Sequence, residues 1–229
     1  MSSKEIKIDI VSDIACPWCY IGKKNLEKAL NATSNEFNFN VNFLPYQLNP
    51  EIPTKGENFE QYFTKKFGSI EYAEQIFDRV NVAGAKSNIK FNFNKIEVIP
   101  NSLKLHILIE KCKNEHFITE LIDDLFNAYL VHPIDLTQDS NLVKIMEKYG
   151  WNEQQTQECL NNSSLQIVVQ NKIKESQNLG ISGVPFLIIN NKYGISGAQS
   201  SETFIDAFRN ISIKEQNESN SCNIDQSNC

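Results

Sequence analysis

Ile6-Lys7-Ile8-Asp9-Ile10-Val11-Ser12-Asp13-Ile14-Ala15-Cys16-Pro17-Trp18-Cys19-Tyr20-Ile21-Gly22-Lys23-Lys24 is the stretch that decides how this 229-residue chain reads. Ile6, Ile8 and Ile10 alternate with polar residues and predict a strand over residues 5–11. A helix is expected from about 17 to 31, with Leu26, Ala29 and Leu30 on its inward side. Pro17 suits the first helical position because its missing N–H needs no partner there. Cys16 and Cys19 therefore fall on the first helical turn. A helix N-terminus presents unpaired N–H groups and the positive end of the peptide dipole, both of which favour an anion. The thiolate is the reactive form of cysteine. Cys19, at i+3, shares a face with Cys16 and lies within reach of a disulfide.

A Cys-x-x-Cys pair is also half of a zinc site, and a structural zinc takes four ligands. No second such pair follows, and His106, His116 and His132 stand singly. Strand followed by helix is the context of the redox motif. Composition narrows the class further. A 41% hydrophobic content over 229 residues suffices for one sizeable core. The net charge of -6, with no basic patch, argues against a nucleic-acid or anionic-membrane partner. No apolar run approaches the roughly 20 residues that span a bilayer. Met1 leads into a strand with no apolar signal region, so a cytoplasmic protein is expected if Met1 is the native start. Six cysteines there point to redox work or incidental thiols rather than a disulfide scaffold.

Phe37, Phe39, Val41 and Phe43 alternate and predict a second strand, which closes a parallel βαβ unit with the first. Pro45, Pro50 and Pro53 then lead the chain away from the sheet. Helical periodicity dominates from about 57 to 179. β-type sequence returns at Val184 to Ile189, a turn falls at Asn190-Asn191, a short strand follows, and a helix begins near Ser200. The expected fold is α/β and thioredoxin-like (βαβ…ββα), with a large all-helical insertion. Residues 1–54 and 180–211 form its two halves, 55–179 the insertion, and 212–229 a polar tail expected to be disordered.

The residues 12–23 around Cys16-Pro17-Trp18-Cys19, with Gly180-Ile181-Ser182-Gly183-Val184-Pro185 downstream, resemble the DsbA-like thioredoxin superfamily, in particular its FrnE-like branch. That resemblance implies a disulfide oxidoreductase in which Cys16 attacks and Cys19 resolves. It also implies a cis Val184–Pro185 bond facing the cysteines, leaving the Val184 backbone to pair with an extended substrate. The buried acid that some thioredoxin-like proteins place six residues before the nucleophile corresponds here to Ile10. Asp9 or Asp13 would have to stand in for it.

Trp18 is expected to be partly exposed and to touch a docking substrate. Asp13 reads equally as a proton-transfer group and as an Asx turn. Asn101 and His106 lie in a segment, residues 99–106, that resembles a Pro-Asn-Thr…Ala-His stretch of the same branch, and read from the residues alone as a helix cap and a structural histidine. Cys112 reads as a buried small hydrophobe, while Cys159 has no evident role. Cys222 and Cys229 could form a second pair that relays electrons. The partners implied are polypeptide thiols and disulfides, recycled by glutathione or a cellular reductase, with no metal or organic cofactor. The same scaffold also carries kappa-class glutathione transferases and 2-hydroxychromene-2-carboxylate isomerases, or could serve a redox-linked chaperone.

Overall fold

A computed structural model describes the backbone from residue 4 to 225 and side chains to residue 218. Cys229 and the Cys222 side chain, and with them the expected second pair, lie outside the described residues. Strand β1 (Lys4–Ser12) runs into helix α1 (Pro17–Ala32), and β2 (Phe37–Pro45) returns beside β1. The two strands pair in parallel along their whole length, from Lys4 opposite Phe37 to Ser12 opposite Pro45. After the central region, β5 (Phe186–Ile189) and β6 (Tyr193–Ser196) complete a sheet of order β2-β1-β5-β6, and α9 (Ser201–Asp225) follows. β5 is antiparallel to β1 and to β6.

The central region holds α2 (Phe59–Phe67), α3 (Ile70–Lys86), α4 (Leu103–Lys111), α5 (Ile118–Phe126), α6 (Asp139–Glu147), α7 (Glu153–Leu160) and α8 (Ser163–Asn178). A π-helical turn, Asn127–Val131, extends α5. Asparagine and serine side chains start several of these helices. Asn58, Ser69 and Asn162 each accept from a backbone N–H three residues on, and Asn152 forms a capping box with Gln155.

Two apolar clusters hold the fold together. One lies between the sheet, α1 and α9: Ile6, Ile8 and Ile10 meet Leu26 and Ala29, Leu187 and Ile189, and Phe204, Phe208 and Ile211. The larger one fills the helical region and takes in Ile14, Cys16, Cys19, Tyr20 and Ile21. The cysteine turn is therefore the place where the helical layer is packed onto the sheet layer.

The structure departs from expectation in two places. The region 55–179 is not wholly helical, because β3 (Glu57–Asn58) and β4 (Val98–Ile99) form a small antiparallel pair. Within it, helix α7 buries only Thr156, Cys159 and Leu160, and its start is marked by the Asn152–Gln155 capping box. The tail is the second. Residues 212–225 are not disordered, since α9 continues through Asp225. Extending an existing helix adds a hydrogen bond for each residue fixed, so nucleation is not repeated. No Gly or Pro interrupts residues 201–225. Polar contacts also hold the extension: Lys4 Nζ donates to the Ser212 carbonyl at 2.8 Å, and Asn190 Nδ2 to Glu215 Oε1 at 2.8 Å. An ion pair at 2.8 Å joins Lys192 to Glu218.

Phe208 is fully buried in the sheet-side cluster and packs against the Phe39 ring, with centroids 5.1 Å apart. Phe208→Ala should cost about 3–5 kcal/mol of stability. Urea unfolding of the two proteins checks this; a loss under ~1 kcal/mol would show that α9 contributes little to the core.

Candidate functional site

The antiparallel register of β1 and β5 pairs Val11 with Phe186. It thereby brings the residues just before Phe186 alongside the turn that leaves β1. That turn is short: the Cys16 N–H donates to the Asp13 carbonyl at 3.0 Å. Cys16 occupies the N-cap of α1 in extended conformation, and its side chain makes no capping bond. Pro17 follows at the start of the helix. Cys16 Sγ instead faces the Val184 carbonyl at 3.7 Å, and the Val184–Pro185 peptide bond is cis.

Both cysteines are free thiols, and their side chains lie within hydrogen-bonding reach of each other. Cys19 is the deeper, at 1% exposure against 4% for Cys16. Burial pushes the Cys19 thiol well up, and a hydrogen bond and charge from Cys16 add to this. The Ser12 side chain and the Asp13 backbone N–H oppose the rise by hydrogen-bonding the sulfur. Nothing in the sequence marks Ser12 for this task except its position as the polar last residue of an apolar strand.

Trp18 is 40% exposed between the two cysteines. One turn into the helix, Gly22 lies under the Pro185 ring. A Cβ built on Gly22 would lie 2.9 Å from Pro185 Cγ and 3.6 Å from Ala198 Cα. The glycine, costly in a helix interior, is thus explained by the close approach of the second half of the fold.

Asp13 is 1% exposed, and its carboxylate is fully engaged. Oδ1 accepts from the Ala15 N–H at 3.0 Å, an Asx turn, and Oδ2 accepts from the Leu48 N–H at 2.8 Å. His106, buried on α4, has Nε2 2.9 Å from the Tyr46 carbonyl and 3.6 Å from Asp13 Oδ1. Asn101 accepts from the Leu103 N–H at 3.0 Å at the start of α4 and from Gln47 Nε2 at 2.8 Å. It also donates to the Ile52 carbonyl at 2.6 Å. Asn101 therefore ties the start of the helix to the loop after β2. Tyr129, buried in the π-helical turn, has its phenol pushed up by burial and then by the Asp13 charge. It belongs to the same polar cluster, which is assembled from elements over 80 residues apart and has no local sequence signal.

Helix α1 is clamped to the helical layer just beyond the cysteines. Tyr20 stacks on Phe126, with centroids 4.9 Å apart. Lys23, almost fully buried, pairs with Glu27 and, at 2.8 Å, with Asp123 Oδ1; Lys24 meets Asp123 Oδ2 at 2.8 Å. Cys112 and Cys159 are both buried in the larger cluster. Burial, with the nearby Cys159 adding, pushes the Cys112 thiol up to about 12. Among the described residues no group of three or more His, Cys, Asp or Glu is arranged to hold a metal ion.

A free dithiol thus lies at the N-terminus of α1, opposed by a cis X-Pro just before β5. Residues 7–209 match the family described as "DSBA-like thioredoxin domain", and the chain belongs to that family. A probable DsbA oxidoreductase from Streptomyces coelicolor superposes with a TM-score of 0.80 at 27% identity, covering 88% of each chain. A putative protein disulfide isomerase from Nitrosomonas europaea has a TM-score of 0.67 at 15% identity, over 94% of this chain and 99% of that one. A 2-hydroxychromene-2-carboxylate isomerase has the same TM-score and identity, over 93% and 98%. The last two likenesses show the fold alone. Among curated proteins no sequence matches significantly.

The buried thiols give a pH dependence. Their protons are held more tightly in the folded chain than in the unfolded one, where thiols titrate near the ordinary value of 9.0. Their contribution to stability is therefore whole below about pH 9 and is lost as pH rises toward the folded value, about 12 for Cys112. The urea midpoint of the reduced protein should fall across that window, and less steeply in Cys112→Ala. A midpoint that stays level would contradict the burial of these thiols.

Proposed function

We propose that the protein exchanges disulfides with polypeptide thiols through Cys16 and Cys19. The observation that carries this reading is the pair of free thiols at the N-terminus of α1, Cys16 at its N-cap and Cys19 in its first turn, with Cys16 facing the Val184 carbonyl. Cys16, the less buried sulfur, attacks a substrate disulfide and forms a mixed disulfide. Cys19 then attacks Cys16 and releases the substrate as a thiol; the reverse sequence delivers a disulfide. Trp18 offers exposed apolar surface beside the sulfurs. The Val184 carbonyl offers a backbone acceptor to an extended substrate segment, with the Pro185 ring behind it. Glutathione or a cellular reductase would recycle the pair, and the exchange itself needs no metal or organic cofactor. The likeness to a 2-hydroxychromene-2-carboxylate isomerase rests on fold, and that chemistry gives Cys19 no role.

Cys16→Ser should abolish reduction of an insulin-type disulfide. Cys19→Ser should accumulate a mixed disulfide visible on a non-reducing gel. Full activity in Cys16→Ser would overturn the proposal.

A further inference from the structure

For Cys16 to be released from a mixed disulfide, the buried Cys19 thiol must lose its proton; Ile10 is apolar, and Asp9 beside it is already engaged by Lys7 at 2.9 Å and by Asn42 at 3.1 Å. We infer that His106 takes this proton, passed on by the Ser12 hydroxyl across the small cavity that Ser12 and His106 both line. This deepens the disulfide-exchange reading and rests on it.

Three observations support the route. The Ser12 side chain works against the rise of the buried Cys19 thiol, so it is the polar side chain beside Cys16 that favours the Cys19 thiolate. A cavity of about 10 Å³ lies against Ser12, Ile14, Phe43, His106, Ile109 and Glu110. That volume is about the least that holds a single water. His106 Nε2 faces the Tyr46 carbonyl at 2.9 Å, and a carbonyl only accepts, so Nε2 carries the hydrogen. The neutral ring then keeps its lone pair on Nδ1 and is able to take a proton.

The competing groups are less suited. Both Asp13 oxygens accept from backbone N–H groups, and Asp13 meets Cys19 through its backbone. At 3.6 Å from Nε2 its carboxylate is placed to stabilise an imidazolium instead. Glu110, which also lines the cavity, is bound at 2.7 Å by both Lys113 and Lys172 of α8. Burial works to raise its carboxyl, but these two lysines outweigh burial and hold it below the ordinary range. Glu110 is therefore the weaker base. Tyr129, from the π-helical turn, stays a neutral phenol.

The step balances. Cys19 Sγ–H gives its proton to the Ser12 oxygen as Ser12 passes its own toward His106. The Cys19 sulfur attacks Cys16 Sγ, the Cys16–substrate S–S bond breaks, and the electron pair leaves on the substrate sulfur. The two cysteines end oxidised and the substrate sulfur reduced.

The test uses the full chain carrying a thionitrobenzoate mixed disulfide on Cys16, whose release by Cys19 is read by absorbance from pH 5 to 9. Wild type should release it with an inflection in its pH–rate profile. His106→Gln keeps an amide donor for Tyr46 and should lose that inflection, slowing on the order of 10²-fold at neutral pH. Ser12→Ala should slow release at every pH, and Glu110→Gln should leave the inflection in place. Alkylation of Cys16 should proceed equally in all four proteins. Wild-type release with an unchanged profile in His106→Gln overturns the proton route alone. Loss of the inflection in Glu110→Gln rather than His106→Gln overturns it in favour of the carboxylate. No release from wild type overturns the exchange reading and this inference with it.

Discussion

The structure depends on a contact between two sequence-distant halves: the turn after β1, carrying Cys16, meets the residues before β5, carrying Val184 and Pro185. The β1–β5 register sets this meeting, and the absence of a side chain on Gly22 lets the Pro185 ring settle against α1. The pair of cysteines is held from the other side by the helical layer, through the Tyr20–Phe126 stack and the Lys23–Asp123 pair. A buried ion pair gains little net stability when desolvation is counted, while removal of one partner alone is strongly destabilising. Its consequence here is positional: it fixes the face that α1 turns toward the helices.

Burial and hydrogen bonding divide the labour between the sulfurs. Cys19 sits deeper, and its thiol is pushed up by desolvation and by its neighbour. A thiol held protonated at rest does not attack prematurely. It also needs a route for its proton when attack is required. The polar cluster of Ser12, Asp13 and His106 lies where such a route would run, with Asn101 and Gln47 fixing the loop that carries the Tyr46 carbonyl.

Much of this was legible in the sequence, for reasons that differ by residue. Ile6, Ile8 and Ile10 carry the strand period, Pro17 the helix start, and the Cys16–Cys19 spacing the shared face. Gly22 could be read as a site of close approach because a glycine inside a helix asks for a cause. Val184-Pro185 could be placed only through resemblance, because proline alone says little about its peptide bond. What stayed hidden depends on tertiary contact. Helix α7 lacks an apolar stripe, and the extension of α9 is anchored by Lys4, Asn190 and Lys192 from remote strands. Tyr129 enters the site from a π-helical turn that no local pattern announces.

The most direct measurement is equilibration of the protein with glutathione buffers of graded ratio, followed by mass mapping of every cysteine. The account predicts a two-electron transition in which Cys16 and Cys19 become joined to each other, with the Cys16–glutathione adduct only a minor species. A stable glutathione adduct on Cys16, with Cys19 still a free thiol at every ratio, would contradict it.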